Sequence, residues 1–413
     1  MTVVEFLGRT PIENIIGSIT VKFNKIIFVG DNKLMRDFKP LYKEFLESRG
    51  IAAEVCYHGI NKNNLWGIVK LLSEIVEQEE KCFFDLTGGE DLALVAMGIV
   101  FERYRHKNIQ MEHFNFNSGK SADVDNDGRL ISEVNPTLSI DEFISIHGGK
   151  VRYNNNGNDS IGTFKWSFTD DFVRDIDLMW QICRKDPKRW NSEINVLLKM
   201  CEFLHNQNSL FVSAKLSTLE EYVINQSGKY ISVTELLKKL QSVGVIRALC
   251  IENGELSFSF KNDQVKKCLT KAGTVLELKV TTSAMSATRK DGSRIYPQCM
   301  NGVFIDWDGG DQNKTDTFNE IDVILLGGFT PIFISCKNGQ VDDEELYKLE
   351  TVANRFGGEN VKKILIATYF GKQGDSRQHF IRRAEDMGIE FIEQVHTLEN
   401  PRFDGLIKQL INS

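Results

Sequence analysis

The sequence predicts an α/β protein with at least two domains. Its 413 residues are too many for one ordinary core. The first third alternates short apolar runs with helix-length segments, as in a parallel sheet covered by helices on both faces. Near the other end, the runs Glu320–Leu326 and Ile332–Lys337 predict two neighbouring buried strands. We therefore expect a doubly wound sheet first and a second α/β domain last.

The first domain, residues 1–150, is predicted from a regular succession of strands and helices. Thr10 and Pro11 suit the N-cap and first position of the first helix, and Asn126-Asp127-Gly128 is typical of a hairpin turn. The predicted strands are Val3–Leu7, Lys25–Val29, Ala52–Tyr57, "KCFFDL" and "QMEHFNF", and the predicted helices are Pro11–Ile19, Met35–Ser48, Leu65–Glu79 and Glu90–Tyr104.

A mainly helical segment, residues 151–245, is predicted to connect this domain to a last one, residues 246–413. The polar stretch Arg152–Gly162 is expected to be a linker, and Ser232 with Glu235 fits a helix-capping box. Beyond it we predict a hairpin at Asn253-Gly254, a helix over Asp263–Ser283, strands around Phe304, Val323 and Phe333, helices near Asp343–Phe356 and Ser376–Met387, and the strands "KKILIAT" and "GIEFIEQV".

Composition excludes several classes of protein. A net charge of -7 provides no bulk attraction to nucleic acid, although it permits a local basic groove. No apolar run approaches the roughly 18 residues of a membrane span, and the start carries Glu5 instead of a basic secretory segment, so a cytoplasmic protein is expected. The eight scattered cysteines are interpreted as reduced core residues. The stretch "DVDNDG" imitates a calcium loop but lacks the acid at its twelfth position.

Three predicted strand ends of the first domain carry residues suited to a phosphate ligand. They are "GRTPIEN", "VGDNK" and "DLTGGEDLA", and in an open α/β sheet such ends meet at the ligand crevice. Two glycines after a strand allow backbone N–H groups to approach a phosphate, although Gly88-Gly89 equally suits a plain tight turn. No G-x-G-x-x-G motif occurs, which disfavours a dinucleotide cofactor and an oxidoreductase.

The Thr87-Gly88-Gly89 turn, the opening "FLGRTPIENI" and the closing "LSIDEFISIHGG" resemble the CRISPR-associated Rossmann-fold (CARF) domain. Proteins of that family sense cyclic oligoadenylates, most often cyclic tetra-adenylate, as homodimers whose two-fold axis passes through the ligand. By position, the resemblance implies activator contacts from Arg9, Thr10, Asn14, Asp31, Asn32, Thr87, Gly88, Gly89 and Glu90.

The two buried strands of the last domain contain charges that need a partner. Asp322 lies inside one apolar run and Lys337 closes the next, where an unpaired charge is costly. The two can form a buried ion pair with no metal at all. If Glu277, Asp306 and Glu320 converge on the same place, however, four carboxylates face one lysine, and a cation relieves the excess.

The segments "GTVLELKV", "NEIDVILL" and "ISCKNG" resemble the PD-(D/E)XK nuclease core. The resemblance implies Mg²⁺ or Mn²⁺ held by Asp322, Glu277 and the backbone carbonyl of Cys336, with Lys337 beside the attacking water. The acid usually found two residues before the lysine is Ser335 here. Either the Cys336 carbonyl, Asp322 and Glu277 suffice, or a carboxylate of the next helix replaces the missing acid, from Glu344, Glu345 or Glu350, of which we favour Glu350. The remaining alternative is a dead site.

Together the two resemblances imply a nuclease of type III CRISPR antiviral defence that cyclic oligoadenylate activates and that degrades RNA, DNA or both with little sequence choice. The alternative is a CARF-type transcription regulator with an inactive nuclease-like domain, because "SVTELLKKLQSVGVI" and the following hairpin can form a winged helix. Its recognition helix would carry only Lys238 and Lys239. The loop "ATRKDGSR" is basic and has two interpretations: it contacts the nucleic-acid backbone, or it is an ordinary solvated loop.

Overall fold

The computed structural model describes residues 1–411 except 21–22, 117–118, 125–128, 133–136, 155–161, 205–208, 229–230, 308–317 and 359. The predicted hairpin turn Asn126-Asp127-Gly128 and residues 155–161 of the predicted linker lie outside the described residues. Among the described helices, none has the length and apolar character needed to cross a membrane.

The N-terminal part is a seven-stranded sheet with helices on both faces, as predicted. The strands lie in the order β3-β2-β1-β4-β5-β6-β7, parallel from β3 to β5 and antiparallel beyond. The order reverses between β1 and β4, which is where an open α/β sheet has its ligand crevice. The strands are β1 (Thr2–Phe6), β2 (Lys25–Asp31), β3 (Glu54–Ile60), β4 (Lys81–Asp85), β5 (Asn108–Asn115), β6 (Lys120–Asp123) and β7 (Arg129–Ser132); the helices are α1 (Ile16–Thr20), α2 (Asn32–Ser48), α3 (Leu65–Gln78), α4 (Asp91–Arg103) and α5 (Ile140–Ile146).

The first helix begins later than the sequence indicated. The prediction of a helix from Pro11 with Thr10 as its N-cap is wrong, because residues 11–15 form turns and α1 starts at Ile16. Two buried carboxylates determine this start: Asp85 accepts the backbone N–H of Gly17, and Glu5 accepts that of Ser18. The free N–H groups of the first helical turn are thus satisfied by side chains from β1 and β4.

A second unit of helices and a small sheet follows. Its antiparallel sheet has the order β10-β11-β9, and the hairpin between β10 and β11 turns at Asn253 and Gly254, which both have positive φ, as an Asn-Gly turn requires. The elements, after β8 (Lys150–Val151), are α6 (Asp170–Cys183), α7 (Pro187–Phe203), β9 (Phe211–Lys215), α8 (Leu216–Ser227), α9 (Thr234–Ser242), β10 (Ile246–Glu252) and β11 (Glu255–Phe260).

The predicted capping box at Ser232 is not formed. Val233 is the N-cap of α9, and the Ser232 hydroxyl donates to Thr234 Oγ1 at 3.2 Å instead. A complete capping box occurs at the start of α5, where Ser139 and Glu142 bond each other's backbone N–H groups.

The third unit is a six-stranded mixed sheet of order β16-β15-β14-β13-β12-β8. Its pairs are antiparallel from β8 to β14 and parallel from β14 to β16. Strand β8 follows directly on α5, so the boundary at residue 150 falls inside this sheet. The elements are α10 (Asp263–Cys268), α11 (Thr274–Ser286), β12 (Gln298–Asp306), β13 (Phe318–Gly327), β14 (Thr330–Lys337), α12 (Asp343–Phe356), β15 (Lys362–Ala367), α13 (Gly374–Asp386), β16 (Ile389–Ile392), a 3₁₀ turn Val395–Thr397 and α14 (Asn400–Gln409).

This third sheet is packed on both faces. Val323 and Leu325 belong to a core shared with the helical middle segment, whereas Ile324 and Leu326 belong to a core shared with the N-terminal domain. Strand side chains alternate between faces, so a nearly continuous apolar run is what burial on both faces requires.

The helix predicted over Asp263–Ser283 is in fact two helices, α10 and α11, separated by residues 269–273. Glu277 consequently lies in the first turn of α11.

Candidate active site and ligand-binding loops

A buried carboxylate, a partly buried one and a lysine meet where α11 crosses the third sheet. Glu277 projects from the first turn of α11, Asp322 from the middle of β13 and Lys337 from the last position of β14. Glu277 is 4% exposed. Asn301 of β12 bridges the two acidic residues, because its side-chain amide donates to Glu277 Oε2 at 3.4 Å and to the backbone carbonyl of Asp322 at 3.2 Å.

Asp322 is held through only one of its two carboxylate oxygens. Its Oδ2 accepts the backbone N–H of Cys336 at 2.6 Å and the hydroxyl of Ser335 at 3.2 Å. Ser335 therefore orients Asp322 from the position where an acidic residue was expected. The other oxygen, Oδ1, accepts no hydrogen bond from the described residues.

The carboxylates of the site carry more negative charge than Lys337 can neutralise. Burial and then repulsion from Asp322 raise the pKa of Glu277 to about 8. Burial likewise raises the pKa of Asp322, although Lys337 opposes the shift. Burial lowers the pKa of Lys337, but Asp322 and Glu345 more than offset this and hold it above its usual value. The lysine stays charged at neutral pH, while the two carboxylates oppose each other's ionisation.

Two further ion pairs border the carboxylates. Lys337 contacts Glu345 of α12 at 2.8 Å, and Glu320 of β13 contacts Lys271 at 2.7 Å. Glu345 is thus the α12 carboxylate that reaches the lysine. Glu350 lies five residues further along the same helix, more than one turn away.

Asp306 is not brought to this group. It ends β12 in register with Phe318 and Lys150, whereas Asn301, at the acidic pair, is in register with Val323. Five residues of strand separate Asp306 from Asn301, about 16 Å. Asn301 and Lys271 were not assigned to the site from sequence, and Glu345 was only one of three candidates on its helix, with Glu350 preferred. An Asn in a strand and a Lys or Glu at a helix end are too common to single out.

Two carboxylates are enough to bind a hard divalent cation with moderate affinity. Mg²⁺ is commonly held by one or two carboxylates and keeps several waters. Among the described residues no three Asp, Glu, His or Cys side chains lie close enough to share a metal ion. The available oxygens are those of Glu277, Asp322 Oδ1 and backbone carbonyls, and this donor set fits Mg²⁺ or Mn²⁺ and not Zn²⁺, which prefers nitrogen and sulfur.

The predicted ligand-binding loops meet at the carboxyl ends of β1 and β4. The Asn14 side chain fixes the first loop and ties it to α2: its Oδ1 accepts the N–H of Gly8 at 2.6 Å, and its amide donates to the Gly8 carbonyl and to the Tyr42 hydroxyl. A Cβ at Gly8 would lie 3.0 Å from the Gly89 nitrogen, and one at Gly88 2.8 Å from Asn14 Oδ1. The backbones of the two loops can approach this closely only because these residues are glycine.

Most of the other predicted contact residues have structural partners. Thr87 Oγ1 accepts the N–H of Phe114 at 2.8 Å, Asp31 caps α2 through the N–H of Lys33, and Glu90 pairs with Lys62 at 3.9 Å. Asn32 lies beside Gly59, where a Cβ would collide with its side chain. Arg9 is exposed and Thr10 is buried beside it, so the described loops offer a ligand chiefly the Arg9 guanidinium and backbone N–H groups.

A row of three acidic residues lies directly beneath these loops and was missed by sequence reasoning. Glu5, Asp85 and Glu112 stand opposite one another on β1, β4 and β5, and all three are buried. Burial raises the pKa of each, and that of Glu112 to about 8. The signal that could have revealed them is an acid inside an apolar strand, as at Asp322.

Comparisons with known proteins identify the fold. No protein-family model and no curated protein sequence matches the chain. Protein VC1899 from Vibrio cholerae has a crystal structure that superimposes with a TM-score of 0.74 at 17% identity, covering 100% of this chain and 98% of that one. Can2 from Sulfobacillus thermosulfidooxidans, solved in complex with cyclic tetra-adenylate, gives 0.66 at 17% identity, covering 100% and 97%. A type III CRISPR defence DNA nuclease activated by cyclic oligoadenylate gives 0.50 at 10% identity, covering 90% and 46%. The predicted fold class, a doubly wound α/β domain followed by a second α/β domain, is confirmed by these likenesses.

Proposed function

We propose that the protein is a nuclease of type III CRISPR defence that cyclic oligoadenylate activates and that needs Mg²⁺ or Mn²⁺. The observation that carries this proposal is the pair of the buried Glu277 and the partly buried Asp322, with Lys337 on the adjoining strand, in a fold shared with a protein solved with cyclic tetra-adenylate. Two opposed buried carboxylates are destabilising unless a cation or a proton neutralises them.

Each residue of the site has a distinct task in this proposal. Glu277, Asp322 and the Cys336 carbonyl would hold the ion, which when bound activates water and offsets charge on the phosphate. Ser335 and the Cys336 N–H fix the Asp322 carboxylate. Glu345 fixes Lys337, whose charged ammonium can orient the attacking water and stabilise the phosphate oxygens.

Activation would begin at the loops after β1 and β4. A cyclic ligand with two-fold symmetry suits a homodimer in which both sheets present these loops to one axis. The sensor and nuclease share one apolar core, where Phe114 meets Phe329 at 5.1 Å between ring centres. A ligand that prefers one arrangement of these packed domains shifts the population toward it.

The test is a cleavage assay with labelled RNA and DNA, Mg²⁺ or Mn²⁺, and cyclic tri-, tetra- and hexa-adenylates in turn. Cutting should require both the metal and one ring size, for which we expect cyclic tetra-adenylate. Asp322→Ala and Lys337→Ala should abolish cutting, whereas Thr87→Ala should weaken only the response to the activator. Cleavage that survives Lys337→Ala would contradict the proposal.

One observation favours a second candidate, a ligand-responsive transcription regulator. From α7 to β11 the elements run helix, strand, helix, helix, hairpin, which is the order of a winged helix. Its charges argue against DNA readout, however, because Lys238 of α9 pairs with Glu235 and the hairpin carries Glu252 and Glu255. A shift of duplex DNA without cleavage, insensitive to metal, would favour this regulator.

A further inference from the structure

The helical middle segment contacts the chain at two places beside Lys337, and one helix, α7, makes both contacts. Asn191 of α7 bonds to Asn338, the residue directly after Lys337. Lys188 lies three residues earlier on the same face of the helix, and its ammonium is 3.8 Å from the ring centre of Tyr369. Because Asn338 follows β14 and Tyr369 follows β15, α7 spans the ends of both strands.

Both contacted segments are tied to the backbone of Lys337. Asn338 follows Lys337 directly, and Tyr369 follows Thr368, whose backbone N–H donates to the Lys337 carbonyl at 3.0 Å. Lys337 is the last residue of β14, so the chain beyond it is no longer held by strand pairing. Contacts from α7 therefore reach the point where the sheet stops constraining the lysine.

The amide side chains of Asn191 and Asn338 fit each other in one orientation. Asn191 donates to the backbone carbonyl of Asn338, which can only accept, so the Asn191 oxygen is the atom left to face the Asn338 side chain. That oxygen lies 2.7 Å from the Asn338 amide nitrogen. Asn338 is 7% exposed, so losing Asn191 would leave a buried amide without this partner. The turn also fits closely, because a Cβ at Gly339 would lie 3.2 Å from the Asn191 nitrogen.

Asn338 also connects this turn to the helix that carries Glu277. Its amide nitrogen lies 3.5 Å from the carbonyl of Ala272 and 3.3 Å from the sulfur of Cys183, at the end of α6. Ala272 lies just before α11, and Glu277 lies in the first turn of that helix. One side chain thus contacts the middle segment and the start of the helix with Glu277, while its backbone continues from Lys337.

We propose that Asn191 is a positioning residue of the nuclease site, which acts through Asn338 to hold Lys337 in place relative to Glu277. This inference rests on the proposed function and gives the middle segment a task in it. Directional hydrogen bonds between buried groups make a structure more rigid than apolar contacts of the same size. A misplacement of catalytic groups by about 1 Å can slow a reaction roughly 100-fold, so an amide that never touches the substrate can still govern the rate.

The test measures kcat and KM for the cleavage of labelled RNA and DNA by the full-length protein at saturating activator and Mn²⁺. Asn191→Leu should lower kcat by roughly ten- to 100-fold. KM should stay unchanged, because the substitution displaces catalytic groups without removing a substrate contact. The matched control is Asn195→Leu, at an exposed position one turn further along α7, which should keep the parental kcat.

A double variant separates positioning from stability. Asn191→Leu leaves the buried Asn338 amide without its partner and should lower the Tm. The variant with both Asn191→Leu and Asn338→Leu replaces the amide pair by apolar side chains of similar size, which should recover stability. It does not restore the directional contacts, so its kcat should stay low. All rates are measured well below the Tm of every variant, so that an unfolded fraction cannot lower them.

The inference is overturned if Asn191→Leu or the double variant cleaves with the parental kcat, or if Asn195→Leu loses as much activity as Asn191→Leu. A raised KM with unchanged kcat also overturns it, because α7 would then bind substrate instead of positioning the lysine. A parent protein that cleaves with no combination of metal and activator refutes the proposed function, and this inference with it. A parent that cleaves no faster than Asn191→Leu, but does cleave, refutes this inference alone.

Discussion

The N-terminal domain, the proposed sensor, and the C-terminal domain, the proposed nuclease, both surround acidic residues with apolar side chains but neutralise them differently. In the sensor, the main influences on the pKa of Glu5, Asp85 and Glu112 are burial, neighbouring carboxylates, backbone N–H groups and hydroxyls, and none of these main influences is a cation. In the nuclease, Glu277 and Asp322 have Lys271 and Lys337 beside them. A proton can neutralise the sensor row, whereas the nuclease pair has an open carboxylate oxygen and is surrounded by more acidic groups than lysines, which suits a metal ion.

The difference shows that one sequence pattern has two outcomes. An acid inside an apolar strand appears in both domains, as Glu5 in "TVVEF" and Asp322 in "FNEIDVILLG". In the sensor the carboxylates cap α1 and hold the Thr87 loop, so they support the ligand-binding loops from below. In the nuclease, Ser335 and Cys336 hold Asp322 through one carboxylate oxygen and leave its other oxygen open.

The largest effect is expected at the nuclease pair. Asp322→Asn should lower cleavage by at least about 100-fold, because losing a direct metal ligand costs more than losing a group that merely orients one. Initial rates at saturating activator and Mn²⁺ would measure it. Asp306→Asn, the same change on the neighbouring strand but away from the pair, should leave the rate nearly unchanged. An equal loss in both variants would place the reacting centre further along β12.

The next effect is a pH dependence of stability from the sensor row. Burial, and after it the Asp85 charge, raises the pKa of Glu112 from 4.5 to about 8. Between these values the folded protein binds a proton that the unfolded chain has lost, so the free energy of unfolding falls as pH rises. Glu112→Gln should remove the contribution of Glu112 to this loss of stability, which is on the order of 4 kcal/mol at most.

Urea unfolding at pH 5 and pH 8 measures this effect. The Glu112→Gln protein should gain stability over the parent at pH 8 and little at pH 5. Glu54→Gln, at an exposed position of β3 in the same sheet, serves as the control and should keep the parental slope. A parental slope in Glu112→Gln would show that Glu112 is ionised in the folded protein and would weaken the comparison.

A metal should distinguish the two groups by its effect on thermal stability. Mn²⁺ at 100 times its dissociation constant should stabilise the parent by about 2.7 kcal/mol, seen as a rise in Tm. Glu277→Gln should lose this rise, and Glu112→Gln should keep it. The reverse pattern would mean that the cation prefers the sensor row.

The smallest effect is expected from Ser335→Ala. The hydroxyl lies 3.2 Å from an Asp322 oxygen that already accepts the Cys336 N–H. Losing this hydroxyl should slow cleavage by roughly fivefold, which corresponds to the net free energy of one ordinary hydrogen bond. Ser286→Ala, whose hydroxyl bonds only its own helix, is the matched control. A loss as large as that of Asp322→Asn would make Ser335 a ligand in its own right.

Much of the fold was predictable because its patterns are local. A few neighbouring residues are enough to predict the β-α alternation of residues 1–132, the strands around Asp322 and the Asn253-Gly254 turn. The start of α1 was not predictable, since it depends on carboxylates from β1 and β4 that the fold brings to Gly17 and Ser18.

The same limit applied to the sites. Asp322, Lys337 and Glu277 could be proposed because charges in apolar surroundings are conspicuous in a sequence. Asn301 and Lys271 become meaningful only through contacts between distant parts of the chain, such as the 2.7 Å pair of Lys271 with Glu320, and Glu345 only once α12 folds back beside Lys337. Residue type alone does not distinguish them from ordinary surface or core residues.

The most direct test of the comparison is a crystal soaked in Mn²⁺ and measured at the manganese absorption edge. We expect an anomalous peak between Glu277 and Asp322 Oδ1, and none at Glu5, Asp85 and Glu112. A peak at the sensor row, or an ordered protein with no peak beside Asp322, would contradict the account.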